Sequence, residues 1–362
     1  MPNRGTDRAR ALLAPDEIRI VSELFQAPAV IRAHAYNRGS VRFPKAIIET
    51  ADRARFLLKR RIETPSNIAR VNLSHEVQVE LARTGFPVST FKRTNDDATW
   101  VVHDGCIYEM FTFIDGDRFG RLEPEVHESG ILLSRMHWTL KDWEPSTPTP
   151  SHAGYHNSQP VGSSWSRLET KILEVDPAAS TLLLEKLVAN VRDQYEMAAV
   201  TAENTLVDSS ACGSRSILHG DLHPGNMLFG ARRPIALLDF DSARIGRTLF
   251  DIANGALQFS MPSMGKKPVV DWDASLNIEL FKSFLSGYAW MQHMPLDESE
   301  CGALPALMIE ATVAETIPRI ALGGTWEGRS GIEILEFVWK RAQWIWSQRS
   351  TLTTLCQSCM RP

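Results

Sequence analysis

Residues 217–251 constrain this chain more than any other stretch. They read Ile-Leu-His-Gly-Asp-Leu-His-Pro-Gly-Asn-Met-Leu-Phe, then Ile-Ala-Leu-Leu-Asp-Phe-Asp, then Phe-Asp-Ile-Ala. Apolar runs at 217–218, 227–229 and 235–238 predict short buried strands. Polar residues stand at the strand ends, where a rigid scaffold holds side chains in place. Pro224 and Gly225 keep the first connection from coiling into a helix, so Asp221 and Asn226 converge. Asp239 follows a second short strand.

Asp221 and Asn226 keep the D-x-x-x-x-N spacing of a kinase catalytic loop. Phosphoryl transfer needs a carboxylate that orients the attacking hydroxyl and accepts its proton, which suits Asp221. It also needs hard oxygen ligands for magnesium. The Asn226 amide oxygen and the Asp239 carboxylate supply them.

The ordered set His219-Gly220-Asp221-Leu222-His223-Pro224-Gly225-Asn226, Asp239-Phe240-Asp241 and Asp251-Ile252-Ala253 resembles the aminoglycoside phosphotransferase and choline kinase superfamily. The resemblance implies an α+β, two-lobed, protein-kinase-like fold: a small lobe on an antiparallel sheet and a mainly helical lobe. It implies ATP and Mg2+ as cofactors and a small-molecule hydroxyl as acceptor. It also implies that His219 braces the loop and that Asp251 supports it from a helix start. Asp241 either touches the metal or caps the next turn. Gly220 stands where protein kinases carry the arginine that reads a phosphorylated activation loop. The stretch from Asp239 to Asp251 is too short for such a loop. Both departures point to a constitutive small-molecule kinase. A stress-response type of protein serine/threonine kinase and a nucleotide-binding scaffold without turnover are the alternatives.

The expected division is a tail and helix over 1–27, a nucleotide-covering lobe over 28–114, and a second lobe over 115–362 with the catalytic loop and acceptor pocket. Strands are expected near 28–36, 43–49, 55–59, 88–92, 99–103 and 106–110. Gly39, with Arg38 or Arg42, fits a phosphate-covering turn; a plain hairpin fits as well. Lys59 ends a strand resembling the one whose lysine contacts the phosphates; Arg60 and Arg61 follow it, and a place as solvent-facing filler is open to any of the three. A helix over 72–84 should offer it a glutamate. Glu76 and Glu80 share one stripe and Glu76 is the choice, although Ser74 occupies the family's usual glutamate position. By resemblance, backbone groups near Met110, Phe111 and Phe113 meet the adenine edge.

Helical periods cover 125–140, 178–205, 276–292, 303–321 and 332–347. His137 is expected to be structural. The Pro/Ser-rich stretch 141–166 reads as a long loop carrying His152, Tyr155 and His156. Trp326, Glu327 and Arg329 stand in a Gly-rich break that either meets the acceptor or only connects helices.

The chain has 362 residues, 43% of them hydrophobic, and a formal charge of −4. That balance excludes a general nucleic-acid binder. No apolar run is long enough to span a membrane, and residues 1–8 lack the apolar core of a secretory signal. A cytoplasmic protein is the expectation. Five scattered cysteines fit a reducing compartment. Cys356 and Cys359 have the spacing of half a metal site, but no second pair accompanies them, so a helix-end pair is the simpler reading.

Overall fold

A five-stranded antiparallel sheet forms the base of the first structural unit. It comprises β1 (Val30–Ala35), β2 (Lys45–Thr50), β3 (Arg55–Ile62), β4 (Trp100–His103) and β5 (Cys106–Thr112), in the order β1-β2-β3-β5-β4. The computed structural model describes residues 12–36, 43–148, 158–207, 215–265, 267–291 and 295–360. Arg38, Gly39, Arg42, His152, Tyr155, His156 and Cys212 lie outside the described residues.

Strand alternation divides the sheet into two chemically different faces. Ala46, Ile48, Phe56, Leu58, Tyr108 and Met110 pack with Ile18, Val21 and Phe25 from helix α1 (Pro15–Leu24) into one apolar core. The opposite face carries Lys45, Lys59 and Glu109 in register: Lys59 stands between Lys45 on β2 and Glu109 on β5. Arg61, two residues beyond Lys59, shares that face. Arg60 points the other way and meets Glu17 of α1 at 2.6 Å, where the Tyr108 hydroxyl also donates. All three basic residues are therefore buried, and Arg60 and Arg61 are anchors, not filler.

Helix α2 (Pro65–Arg83) starts seven residues before the expected position. Thr64 accepts a hydrogen bond from the Asn67 N–H at 3.2 Å, and Pro65 takes the first helical position. This pairing of cap and proline is a strong start signal. The expected strand over 88–92 is reduced to isolated bridges at Val88 and Phe91.

By its internal contacts the first unit takes Met1–Gly120, Glu144–Thr149 and Gly225–Ala243; the second takes Arg121–Trp143, Pro150–Pro224 and Arg244–Pro362. The hairpin of Met227–Gly230 and Arg233–Leu237 thus belongs with the sheet unit, and the division departs from a single boundary at 114.

The second unit is mainly helical: α3 (Glu123–Leu140), α4 (Trp165–Val175), α5 (Thr181–Val207), α6 (Leu249–Ser260), α7 (Ile278–Trp290), α8 (Glu298–Gly323), α9 (Gly331–Ser347) and α10 (Arg349–Met360). Helix α4 and the turn Gln159–Gly162 occupy part of the expected long loop and its sequel. Helix α10 was not legible because its buried stripe is Leu352, Cys356 and Met360, with cysteine acting as a small hydrophobe. The Cys356 Sγ lies 3.0 Å from that of Cys301 on α8. The four described cysteines are free thiols.

Helices α3 and α7 approach closely through two glycines. A Cβ on Gly130 would lie 2.2 Å from the Phe284 carbonyl, and one on Gly287 would lie 2.0 Å from that of His127. From the same helix α3, His137 reaches Asp251 at 3.2 Å.

Candidate active site

In the first unit, a cleft of about 310 Å³ opens on the charged face of the sheet. Ile47, Leu57, Phe111, Phe113, Leu228 and Leu238 form apolar walls; Lys45, Lys59, Asn226 and Asp239 supply polar groups. The Lys59 amine is 3.5 Å from Asp239 Oδ1 and 2.8 Å from Asp241 Oδ2. Burial alone would push this amine down; the Asp241 and Asp239 carboxylates reverse that and raise it above an ordinary lysine. Lys45 moves the other way, depressed by burial and by the charge of Lys59.

Asp239 has φ of 62° and ψ of 65°, a left-handed conformation. Aspartate tolerates this region better than most residues, and such backbone is typical of functional turns. The short turn Phe240–Ser242 follows and brings Asp241 onto Lys59 and Arg61. Asp241 takes a role that neither reading from the sequence named: it ion-pairs with Lys59 and Arg61. Burial raises its carboxyl, but Lys59 and Arg61 more than compensate and hold it far below the usual carboxylate range.

Other expected cofactor residues fall differently. Glu76 does not meet Lys59; its carboxylate accepts from Ser146 and Thr147, from backbone N–H and hydroxyl groups alike, at 2.5–3.2 Å. The reason is helical phase: α2 turns Ser74, His75 and Gln78 inward, and Gln78 reaches the cleft. Met110 faces the α1 core, and its carbonyl already accepts from Lys92 N–H at 2.8 Å. Phe113 N–H is likewise taken, donating to Arg55 O at 2.9 Å. Phe111 and Phe113 do line the cleft, together with Ile114, Asp115 and Gly116 just beyond them.

Residues missed from sequence are Lys45, Arg61, His75 and Glu109. Arg61 Nε donates to Glu109 Oε2 at 2.6 Å, and Arg61 Nη2 reaches Asp241 Oδ1 at 3.1 Å. His75 links Glu109 Oε1 at 3.0 Å to Thr99 Oγ1 at 2.7 Å. The available signal was period 2 in Lys59-Arg60-Arg61, which places the first and third on one face.

In the second unit, Asp251 organises the loop that begins at His219. Its carboxylate accepts from His219 N–H at 2.6 Å and Gly220 N–H at 2.9 Å, and His137 Nε2 lies 3.2 Å away. His137 Nδ1 is in turn 3.0 Å from the Tyr288 hydroxyl. Burial raises the Asp251 carboxyl; the hydrogen bonds and neighbouring histidines outweigh it and hold the group below its usual range. Gly220 has φ of 77°, a conformation that a side chain would strain. At this turn the N–H groups of His219 and Gly220 converge on one carboxylate. The Asp221 N–H donates to His219 Nδ1 at 3.3 Å, so His219 is a brace.

The Asp221 side chain is one-third exposed, with His223 Nε2 at 3.8 Å. It lines a pocket of about 220 Å³ in the second unit. Leu257, Met261, Trp272, Trp326, Ile334 and Phe337 wall this pocket, and Gln258, Glu315, Glu327 and Arg319 line it too. The Gly-rich break therefore does contribute to it through Trp326 and Glu327. Arg329 instead stacks on Trp272, 5.1 Å from the ring centre. Glu315 Oε1 is enclosed without a hydrogen-bond partner, as is Trp326 Nε1; Gln258 donates to the other Glu315 oxygen. Burial, aided by the negative charge of Asp221, pushes the Glu315 carboxyl up to about 7.

The fold is that of the protein-kinase-like class. The sequence matches the phosphotransferase enzyme family over residues 37–293, and the chain belongs to that family. Three solved structures illustrate the shared fold. Amicoumacin kinase hAmiN, in complex with AMP-PNP, Ca2+ and amicoumacin, is 13% identical with a TM-score of 0.66, over 95% of each chain. An aminoglycoside phosphotransferase from Alicyclobacillus acidocaldarius is 18% identical with a TM-score of 0.60, over 97% of this chain and 98% of that one. Choline kinase from Cryptosporidium parvum is 13% identical with a TM-score of 0.59, over 96% and 97%. No curated protein matches the sequence. No helix among the described residues is long and apolar enough to cross a membrane.

Proposed function

We propose that this protein is an ATP-dependent kinase that moves the γ-phosphoryl group to a hydroxyl of a small molecule. The observation that carries the reading is one cleft in which apolar walls meet Lys59, Asn226 and Asp239. The walls suit a purine, and the lysine suits phosphate oxygens.

The donor set also suits magnesium. Among the described residues no group of three or more His, Cys, Asp or Glu side chains forms a metal cage. One amide oxygen and one carboxylate fit an ion that takes its remaining ligands from phosphates and water. When bound, magnesium neutralises charge on the phosphate oxygens. Asn226 and Asp239 would hold it, Lys59 would bind phosphate, and the main chain of 114–116 would meet the adenine edge. Asp221 would orient the acceptor hydroxyl and take its proton, while Asp251 keeps the loop in position. Rate enhancement then rests on positioning and charge stabilisation.

The acceptor pocket favours a hydroxyl compound with an apolar or aromatic body. Glu315 beside Asp221, with its carboxyl pushed up to about 7, adds negative charge above that pH and then suits a protonated amine on the same molecule. Free thiols fit a reducing cytoplasm as the place of action. The test is magnesium-dependent ADP release across a panel of hydroxyl metabolites, amino alcohols included, with Asp221→Asn as the control. A stimulated rate lost in the variant supports the reading; acceptor-stimulated release that survives in Asp221→Asn contradicts it.

A further inference from the structure

The phosphate-binding lysine of a kinase-like fold needs a carboxylate to hold it when the metal-binding aspartate turns to its metal. The helix that would supply one here does not. Glu76 is committed to Ser146 and Thr147, and the inward residues of α2 are Ser74, His75 and Gln78. None of these is an acid. Lys59 is nevertheless buried and charged.

A continuous chain of buried groups takes up the task. Asp241 uses one oxygen for Lys59 at 2.8 Å and the other for Arg61 at 3.1 Å. Arg61 is fully buried and donates to Glu109 at 2.6 Å. Glu109 is fully buried too, and His75 Nε2 contacts its second oxygen at 3.0 Å. Burial keeps His75 below its ordinary pKa. The neutral ring therefore donates from Nε2 to Glu109 and accepts at Nδ1 from the Thr99 hydroxyl. An isolated buried ion would be costly, and these ions persist because each is paired and hydrogen-bonded.

We propose that Arg61, held by Glu109 and His75, is the positioning residue that fixes Asp241 and through it Lys59, in place of a helix glutamate. Asp239 is then free to serve the metal while Asp241 stays on the lysine. Arg61 does this without touching nucleotide. The carboxylate on the lysine comes from Asp241 in the turn Phe240–Ser242, and Glu109, directly across from Lys59 on the neighbouring strand, holds Asp241 through Arg61. Helix α2 still takes part, through the imidazole of His75.

This inference rests on the functional reading above, and its test separates the two. Calorimetry with magnesium and a non-hydrolysable ATP analogue is run on the full chain, followed by steady-state turnover. Arg61→Lys and Glu109→Gln are expected to weaken analogue binding about tenfold and to raise KM for ATP by a similar factor. KM for the acceptor should stay within twofold. Glu109→Asp should recover part of the loss. Glu76→Gln should leave nucleotide affinity within twofold.

If either core variant unfolds, Thr99→Val and His75→Asn probe the outer end of the same chain, and a loss of about threefold in ATP affinity is expected from each. Full nucleotide affinity in the folded variants overturns the proposal, as does a Glu76→Gln variant that loses affinity tenfold. Wild-type protein that binds no analogue overturns the functional reading and this inference with it. Wild-type binding that is unmoved by the variants overturns this inference alone.

Discussion

Two buried carboxylates, Glu109 and Asp251, hold the two halves of the chemistry by opposite means. Asp251 grips the backbone, collecting the N–H groups of His219 and Gly220 at 2.6 and 2.9 Å. Glu109 grips cations, pairing with Arg61, whose other partner is Asp241. The first arrangement fixes a loop conformation. The second fixes the positions of charges. One tie runs through main chain and the other through side-chain ions.

Four variants sharpen or break this contrast. The largest effect should come from Asp221→Ala, with a fall in kcat on the order of 10³ and unchanged affinity for ATP; a fall in ATP affinity instead would place Asp221 in the nucleotide site. Asp251→Asn should lower stability by roughly 2–3 kcal/mol in thermal or denaturant unfolding. Its native carboxyl is held below the unfolded value near 4. The native advantage is therefore full above that pH and fades as the pH falls through the folded value. A deficit that persists undiminished in acid would contradict the ionised brace.

Glu315→Gln probes a carboxyl shifted the other way. Burial pushes it up to about 7 from the ordinary glutamate value of 4.5, so the folded state retains a proton that the unfolded chain releases. Wild-type stability should drop relative to the variant as pH rises from 4.5 to 7, by about 1 kcal/mol or more, and stay level above that. The variant should also bind a cationic acceptor more weakly at pH 8 than wild type does, and a neutral acceptor equally well. The smallest effect is expected from Thr64→Ala, about 1 kcal/mol from the lost cap of α2, with no change in the ratio of nucleotide to acceptor constants.

The same contrast explains what the sequence made legible. Asp221, Asn226, Asp239 and Asp251 lie within 31 residues, at spacings fixed by the loop, so pattern alone exposed them. The partner of Lys59 lies 182 residues away, and no local periodicity reports such a pair. Glu76 was chosen because the register of α2 was unknown until Thr64 and Pro65 fixed its start and turned His75 inward. The expectation for the main chain near Met110 and Phe113 could not register that the Met110 carbonyl bonds Lys92 and the Phe113 N–H bonds Arg55, since both partners lie far off in sequence. Glu315 went unread because it lies 94 residues from Asp221, and the two come to line one pocket only in the fold.

The central claim is tested most directly by following label from [γ-32P]ATP in the presence of magnesium and a mixed pool of hydroxyl metabolites and protein. The account predicts label in a small molecule, dependent on Asp221 and absent from protein. Label found in protein and in no metabolite would contradict it and favour a protein kinase. Tight ATP binding with no transfer to any acceptor would leave a nucleotide-binding scaffold in its place.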